Sequence, residues 1–187
     1  MLPSDTFPIL RTERLLLRRI VADDAPALFV MRSDDRVMRH IPRPMTTSIA
    51  EAAEIIASLE EVRAKNEGIT WGIALADRCE LIGTIGFYRW KKEHFRAEVG
   101  YLLHPDHWGK GLAGEALDAV VEHGFKVLGL HSIEAVTDPG NTASNALLAR
   151  HGFVQEAHFR EDHFWNGRFL DSLVWSRLTD RPALTGI

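Results

Sequence analysis

His104-Pro105-Asp106-His107-Trp108-Gly109-Lys110-Gly111-Leu112-Ala113-Gly114-Glu115-Ala116 is the stretch that decides the fold. An apolar run, Glu98-Val99-Gly100-Tyr101-Leu102-Leu103, precedes it and reads as a strand. The strongest helical pattern in the chain follows from Gly111 to Leu128, with Leu112, Ala116, Val120 and Val127 on one face. Ser132 to Val136 then reads as another strand. A strand, a crossover helix and a strand predict a parallel pair with a right-handed connection.

Upstream, Thr70 to Leu75 and Leu81 to Tyr88 read as a strand pair turning at Asp77-Arg78. Arg14 to Arg19 reads as a first strand. Two helices lie between. Asp23 or Asp24 caps one, which carries Ala27, Leu28 and Met31; Ser48 caps the other, with Glu51 as its capping-box partner and Gly68 as its stop. Pro42 and Pro44 make Arg39 to Met45 a loop between these helices. Downstream, Asp138-Pro139-Gly140-Asn141 is a turn, and Thr142 to Arg150 is a short helix ended by Gly152. Phe153 to Phe159 and Leu170 to Arg177 are closing strands around the hairpin signal Asn166-Gly167. The expectation is an α/β (α+β) sheet of mixed direction, in one domain over residues 1–187.

The 187 residues are 45% hydrophobic and 26% charged, which excludes a disordered chain or a disulfide mini-protein. Basic residues number 22 against 26 acidic, so no general nucleic-acid binding is expected. A single cysteine, Cys79, makes no internal disulfide and no Cys-rich zinc site, and reads as structural. His104 and His107 are three apart with Asp106 between them, but His-Glu-x-x-His is absent and no metal is expected. Met1-Leu2-Pro3-Ser4-Asp5 lacks the basic and apolar stretches of an export signal. No apolar run reaches the ~20 residues of a membrane span. A cytoplasmic location without a membrane partner is the default expectation.

Consecutive backbone N–H groups at a glycine-rich helix start converge on an anion, and the helix dipole adds partial positive charge. Gly109-x-Gly111-x-x-Gly114 matches the dinucleotide fingerprint literally, and Glu134 falls where the ribose-binding acid is sought. Pro105 to Trp108 nevertheless separate the first glycine from its strand, and Glu134 sits inside the next strand. The chain after Gly114 is also too short for a second mononucleotide half. An ATP-type loop fails because Glu115-Ala116 replace the Lys and Ser/Thr that it needs. Gly100, inside its strand, marks a bulge or a close approach. A ligand extended along that strand, with its phosphates at the helix, is the geometry these features imply.

The order and spacing of these pieces resemble the Gcn5-related N-acetyltransferase (GNAT) superfamily, and within it the Rim-type ribosomal-protein N-terminal acetyltransferases. The resemblance spans nearly the whole chain. It rests on Leu10-Arg11-Thr12-Glu13-Arg14-Leu15-Leu16-Leu17-Arg18, on Ala97 to Tyr101 with Trp108-Gly109-Lys110-Gly111, and on Asn141-Thr142-Ala143-Ser144-Asn145 with His151-Gly152-Phe153. It implies a mostly antiparallel sheet with helices on both faces and a splayed parallel strand pair. It implies acetyl-CoA as donor and no metal. Gly109, Lys110, Gly111, Leu112, Ala113 and Gly114 would cradle the pyrophosphate; Leu102, Leu103 and His104 would flank the pantetheine; Asn141 and Asn145 would contact the CoA arm. Trp108 stands where the family loop often begins with Gln or Arg.

Acetyl transfer to an amine needs a neutral nitrogen, donors for the tetrahedral oxyanion and a hydrogen-bond donor for the departing thiolate. Backbone near Leu102 is the expected oxyanion donor. Many family members use a tyrosine in the helix after Asn141, but that position is Leu148; the Rim-type resemblance points to Ser144 instead. The acid that precedes the Asn-Gly hairpin in that branch is His163 here, and Glu98 is a second candidate base. Glu161 and Asp162 read as solvated loop charges. The resulting expectation is an N-acetyltransferase for a protein N-terminal α-amine, as a monomer or homodimer. A small-molecule amine acetyltransferase and a non-catalytic acyl-CoA-binding regulatory domain are the alternatives.

Overall fold

The alternation Ile69, Trp71, Ile73 in β3 (Ile69–Leu75) places three large side chains on one face of a sheet, all fully buried. The computed structural model describes residues 7–180, so Met1 to Asp5 lie outside the described residues. The other strands are β1 (Leu10–Arg11), β2 (Leu15–Arg18), β4 (Leu81–Lys91), β5 (Arg96–Leu103), β6 (Ser132–Thr137), β7 (Val154–Trp165) and β8 (Arg168–Leu178). Together they form one sheet in the order β1-β2-β3-β4-β5-β6-β8-β7. Every neighbouring pair is antiparallel except β5 and β6. The expected mixed sheet and parallel pair are both found.

Helices α1 (Ala25–Arg32), α2 (Asp35–Met38) and α3 (Ile49–Ala64) precede β3, while α4 (Leu112–Lys126) and α5 (Thr142–Arg150) flank β6. The main core joins the β-sheet to Leu112, Ala116, Leu117, Val120 and Val121 of α4 and Leu148 of α5. A second cluster packs Ile20 and Leu81 against Leu28 and Met31 of α1 and Ala52 and Ile56 of α3. Each large buried aliphatic contributes about 1.5–3 kcal/mol relative to exposure. Gly124 lets α4 approach the sheet, since a Cβ there would lie 2.7 Å from the Phe87 ring.

Several local expectations are corrected. Val127 is 58% exposed because α4 ends one residue earlier, and Leu128 turns inward instead. Asp24 does not cap α1 with its side chain: its carboxylate is buried, accepts the Val21 N–H and holds Arg18 by two bonds of 2.7 and 2.8 Å. Ser48 caps α3 as expected, but Glu51 reaches back to Thr47 instead of Ser48. The left-handed residue that ends α3 is Asn66 (φ 55°), not Gly68. Gly68 serves close approach instead, because a Cβ there would meet the Phe87 carbonyl at 2.6 Å. Gly100 forms no bulge, as the β4–β5 register runs unbroken from Gly83/Leu103 to Tyr88/Glu98; the irregularity falls at Arg89 (φ 46°). Cys79 is exposed and free, and its carbonyl accepts from Arg18. The Asn166-Gly167 turn has positive φ at both residues (47° and 78°), as a two-residue hairpin requires. Strand β1 and helix α2 were not expected.

Candidate active site

Strand β5 pairs with β6 only over Arg96–Glu98 against Ser132–Glu134. Beyond that, β5 stays with β4 and β6 stays with β8. The two parallel strands therefore splay, and the edge of β5 from Val99 to Leu103 is left open. Arg96 and Glu134 join across the base of the splay at 2.9 and 3.0 Å, so the decoy ribose acid is a structural ion-pair partner. A cleft of about 1190 Å³ opens above, lined by Val99 to Leu102, Ala135 to Asp138, Asn141 and Ser144.

The open edge can be read residue by residue. His104 donates its N–H to Ile82 of β4, and alternate residues of a strand point the same way. Leu102 therefore faces β4, while Tyr101 and Leu103 present their backbone to the splay. The free backbone N–H groups on the open edge are thus those of Tyr101 and Leu103, on either side of Leu102, whose own N–H faces β4. Trp108 Nε1 already donates to the Leu103 carbonyl at 2.7 Å, which pins the loop to the strand. The Leu103 side chain is buried in the core; Leu102 lines the cleft.

The loop leads into α4 through two glycines with positive φ, Gly109 (71°) and Gly111 (77°). No side chain caps Gly111, and the first helical N–H with an intrahelical acceptor is that of Glu115. The Leu112, Ala113 and Gly114 N–H groups thus remain at a helix N-terminus suited to phosphate. Leu112 buries its side chain, the Lys110 side chain is exposed, and Gly114 makes room for His151, whose ring would lie 2.4 Å from an added Cβ. Glu115 fixes the loop from below. It accepts the Thr12 hydroxyl at 2.5 Å, the Arg14 N–H at 2.8 Å and the Arg14 side chain at 2.6 Å; Arg14 in turn donates to the Lys110 carbonyl at 2.9 Å. Burial alone would raise the Glu115 pKa, but these donors outweigh it and hold the carboxyl below its ordinary range. Thr12-Glu13-Arg14 was visible as a motif, but its role as a clamp needed the fold.

At the other end of the splay, the Tyr101 hydroxyl lies 2.5 Å from Ser144 Oγ. Burial pushes the Tyr101 phenol up to about 12, against a smaller opposing effect of that hydrogen bond. The phenol is therefore neutral and can donate. Ser144 is positioned from α5, whose first turn is capped by Asn141 Oδ1 accepting the Ser144 N–H at 3.1 Å. Leu148 is fully buried in the core. Asn145 is spent on the turn: its Oδ1 accepts from Thr137 at 2.6 Å, and its amide donates to the Asp138 and Pro139 carbonyls. It does not line the cleft, whereas Asn141 does.

Glu98 and His163 both line this cleft. Glu98 is held by Arg89 at 2.7 Å. His163 follows a break in the β7–β8 register between Phe159 and His163. Asp171 pins that break, taking the Glu161 N–H at 2.9 Å and His158 at 2.7 Å. Glu161 and Asp162 are exposed as expected, but in a strand and not a loop. A pair that the sequence did not reveal, His40 Nδ1 and Asp138 Oδ2 at 2.9 Å, joins the loop after α2 to the end of β6. Among the described residues no group of three or more His, Cys, Asp or Glu is placed to hold a metal. No described helix is long and apolar enough to cross a membrane.

This splay, glycine loop and α5 arrangement can be set beside known proteins. A profile of the acetyltransferase (GNAT) domain matches residues 14–154. The chain belongs to the GNAT acetyltransferases. The Bacillus subtilis (strain 168) N-acetyltransferase YoaA is 42% identical over 94% of this chain and 99% of its own. The ribosomal-protein-serine acetyltransferase of Escherichia coli (strain K12) is 32% identical over 54% of this chain and 56% of its own; the spermidine N(1)-acetyltransferase of Vibrio cholerae is 33% identical over 49% and 53%. Mycobacterium smegmatis RimJ, solved with a CoA disulfide, superposes with a TM-score of 0.82 at 25% identity, covering 95% of this chain and 88% of that one. The GNAT chain described here is thus an acyltransferase with Rim-like relatives.

Proposed function

We propose that this protein transfers an acetyl group from acetyl-CoA to a protein N-terminal α-amine. The carrying observation is the open β5 edge, which runs from an uncapped α4 N-terminus to the Tyr101–Ser144 pair. The phosphates would rest on the N–H groups after Gly109 and Gly111, and the pantetheine would run along Tyr101 and Leu103. A RimJ of the same fold, solved with a CoA disulfide, supports a CoA-type ligand for this fold.

In the reaction, the neutral amine nitrogen attacks the thioester carbonyl and forms the N–C bond. The oxyanion is met by β5 backbone N–H groups on the open edge. The nitrogen loses its extra proton to His163, to Glu98 or to water. The C–S bond breaks, and the departing sulfur takes a hydrogen bond from Ser144 and finally a proton. Tyr101, the stronger acid of the pair, donates to Ser144 Oγ and so turns the serine hydrogen toward the sulfur. An α-amine, with a reference pKa of ~7.7–8.0, is partly neutral without help, whereas a lysine side chain at ~10.4 is not.

The ribosomal-protein-serine relative supports a protein N-terminus, and the spermidine relative supports a small-amine acceptor as a second reading. Acetyl-CoA is incubated with N-terminal peptides, spermidine and free amines, and CoA thiol release is followed. Turnover of peptides is the expected result. Turnover of spermidine alone would select the second reading, and acetyl-CoA binding without any turnover would leave a regulatory domain.

A further inference from the structure

The α1 side of the cleft carries two cations that no described carboxylate neutralises. Arg32 ends α1, lines the cleft and is half-buried. Its Nε is shielded from solvent and has no hydrogen-bond partner among the described residues. Arg43 comes from the loop between α2 and α3 and lines the same wall. That loop is tied down by the Thr46 N–H, which donates to the Arg32 carbonyl at 3.0 Å. Burial lowers the Arg32 pKa, and the charge of Arg43 lowers it further, so the two guanidinium groups repel each other. Tyr88 lies close to both; its phenol is raised by burial and stays neutral, so it is no counter-ion.

On the same side of the cleft and beside it, Arg89 has Glu98, Arg39 has Asp35 and His40 has Asp138. Arg168, from the hairpin, is the other cation lining the cleft without an ion-pair partner among the described residues. A helix C-terminus favours a cation at position 32, but it does not explain a second arginine brought against it from another segment. Two like charges with a shielded, unused donor are costly unless an anion arrives. That anion is not a CoA phosphate on geometric grounds. Tyr88 pairs with Glu98 across β4 and β5, roughly 20 Å along the strand from the glycine loop that starts at His104. The Tyr88 ring covers Gly100, beside Tyr101, so the subsite adjoins the reaction centre.

We propose that Arg32 and Arg43, with the Tyr88 hydroxyl, bind a carboxylate carried by the acceptor, which makes the substrate an amine with an acidic group of its own. This deepens the acetyl-transfer reading and rests on it for the identity of the occupant as acceptor. A guanidinium pair suits a carboxylate through charge-assisted, bidentate bonds. A polyamine would meet like charge instead.

The test uses the full chain and matched ligands: peptides with Glu or Gln following the N-terminal residue, the free Ser-Glu dipeptide, and spermidine. Calorimetry of the N-acetylated peptides, without turnover, is expected to show about tenfold tighter binding of the Glu form, a difference of ~1.4 kcal/mol. Arg43→Ala, on an exposed loop, should bring that ratio near one, as should Arg32→Gln where it folds. In kinetics the same preference should appear as a lower KM for the Glu acceptor; preference for the dipeptide over the peptide would identify a small amino acid as the source. Equal binding of Glu and Gln forms by the wild type overturns the subsite, as does an Arg43→Ala ratio identical to wild type. Retained Glu preference in binding with no CoA release from any amine would keep the subsite and reject the acetyl-transfer reading.

Discussion

Removing the Tyr101 hydroxyl is the sharpest test of how this site handles the leaving thiolate. Tyr101→Phe keeps the buried ring and deletes one oxygen, which lies 2.5 Å from Ser144 Oγ. A phenol held at about 12 does not give its proton away near neutral pH; in the proposed reaction it polarises Ser144 toward the departing sulfur. The serine bond to a developing thiolate is charge-assisted and contributes ~1.5–3 kcal/mol, or about ten- to a hundredfold in kcat. Ser144→Ala should therefore lose that amount, with acetyl-CoA affinity nearly unchanged, because the thiolate exists only late in the reaction. Tyr101→Phe should lose less, about three- to tenfold, since the serine still donates without its partner. The double variant should match Ser144→Ala alone, because residues acting as a unit are not additive. Stopped-flow or steady-state CoA release with a peptide acceptor measures all four corners, and thermal melts check that Tyr101→Phe costs only about 1 kcal/mol of stability. Multiplicative losses in the double variant would refute the relay. So would a base-side limb in the wild-type profile near pH 9–10 that vanishes in Tyr101→Phe, because it would make Tyr101 a titrating acid.

Gly111→Asp places a carboxylate where phosphate is expected, at a position with φ +77° whose Cβ would lie 3.4 Å from Arg14 Nη2; acetyl-CoA affinity by calorimetry should fall more than about tenfold, while the left-handed backbone costs only about 1–2 kcal/mol of stability. His163→Ala should slow peptide acetylation most below the amine's own pKa and progressively less above it, so a loss independent of pH would make His163 a positioning residue. His123, buried on α4 against Trp71 with an Nε2 that has no partner among the described residues, has its pKa lowered by burial. Above ~6.5 both folded and unfolded chains hold it neutral, and as pH falls below that the unfolded chain takes up the proton first, so stability drops. His123→Leu should remove that acid-side loss and add about 1 kcal/mol by deleting the orphan group, as chemical denaturation at pH 7.5 and 5.5 would show.

The sheet was legible wherever one local rule governed. Asn166-Gly167 forced a hairpin, and the strand–helix–strand around Gly111 forced a parallel pair. Errors came where a residue served a partner outside its own element. Asp24 looked like a cap and became the buried mate of Arg18, because a guanidinium six residues upstream outbid the helix N–H groups. Gly68 looked like a helix stop, but its missing Cβ serves the Phe87 carbonyl across the sheet. Gly100 read as a bulge or a close approach, and the second holds: its gap is filled by Tyr88 from the neighbouring strand.

The site shows the same division more sharply. The glycine loop is local, so its spacing could be read directly; the Arg14–Glu115 clamp beneath it joins residues about a hundred positions apart and could not. The proposed leaving-group donor carries the clearest lesson. Counting along α5 reaches Leu148, which is wholly in the core, so a helix-borne tyrosine is ruled out. Ser144 by itself is a poor substitute, because an aliphatic hydroxyl is a weaker acid than a phenol. The fold supplies the phenol from another element: β5 leaves β6 after Glu98, and the freed strand carries Tyr101 to the start of α5. Burial there keeps the phenol protonated, and Asn141 fixes the serine that it meets. The splay thus does two jobs with one break in pairing. It frees the backbone edge of β5, and it places beside that edge a hydroxyl pair whose members neither strand nor helix could provide alone.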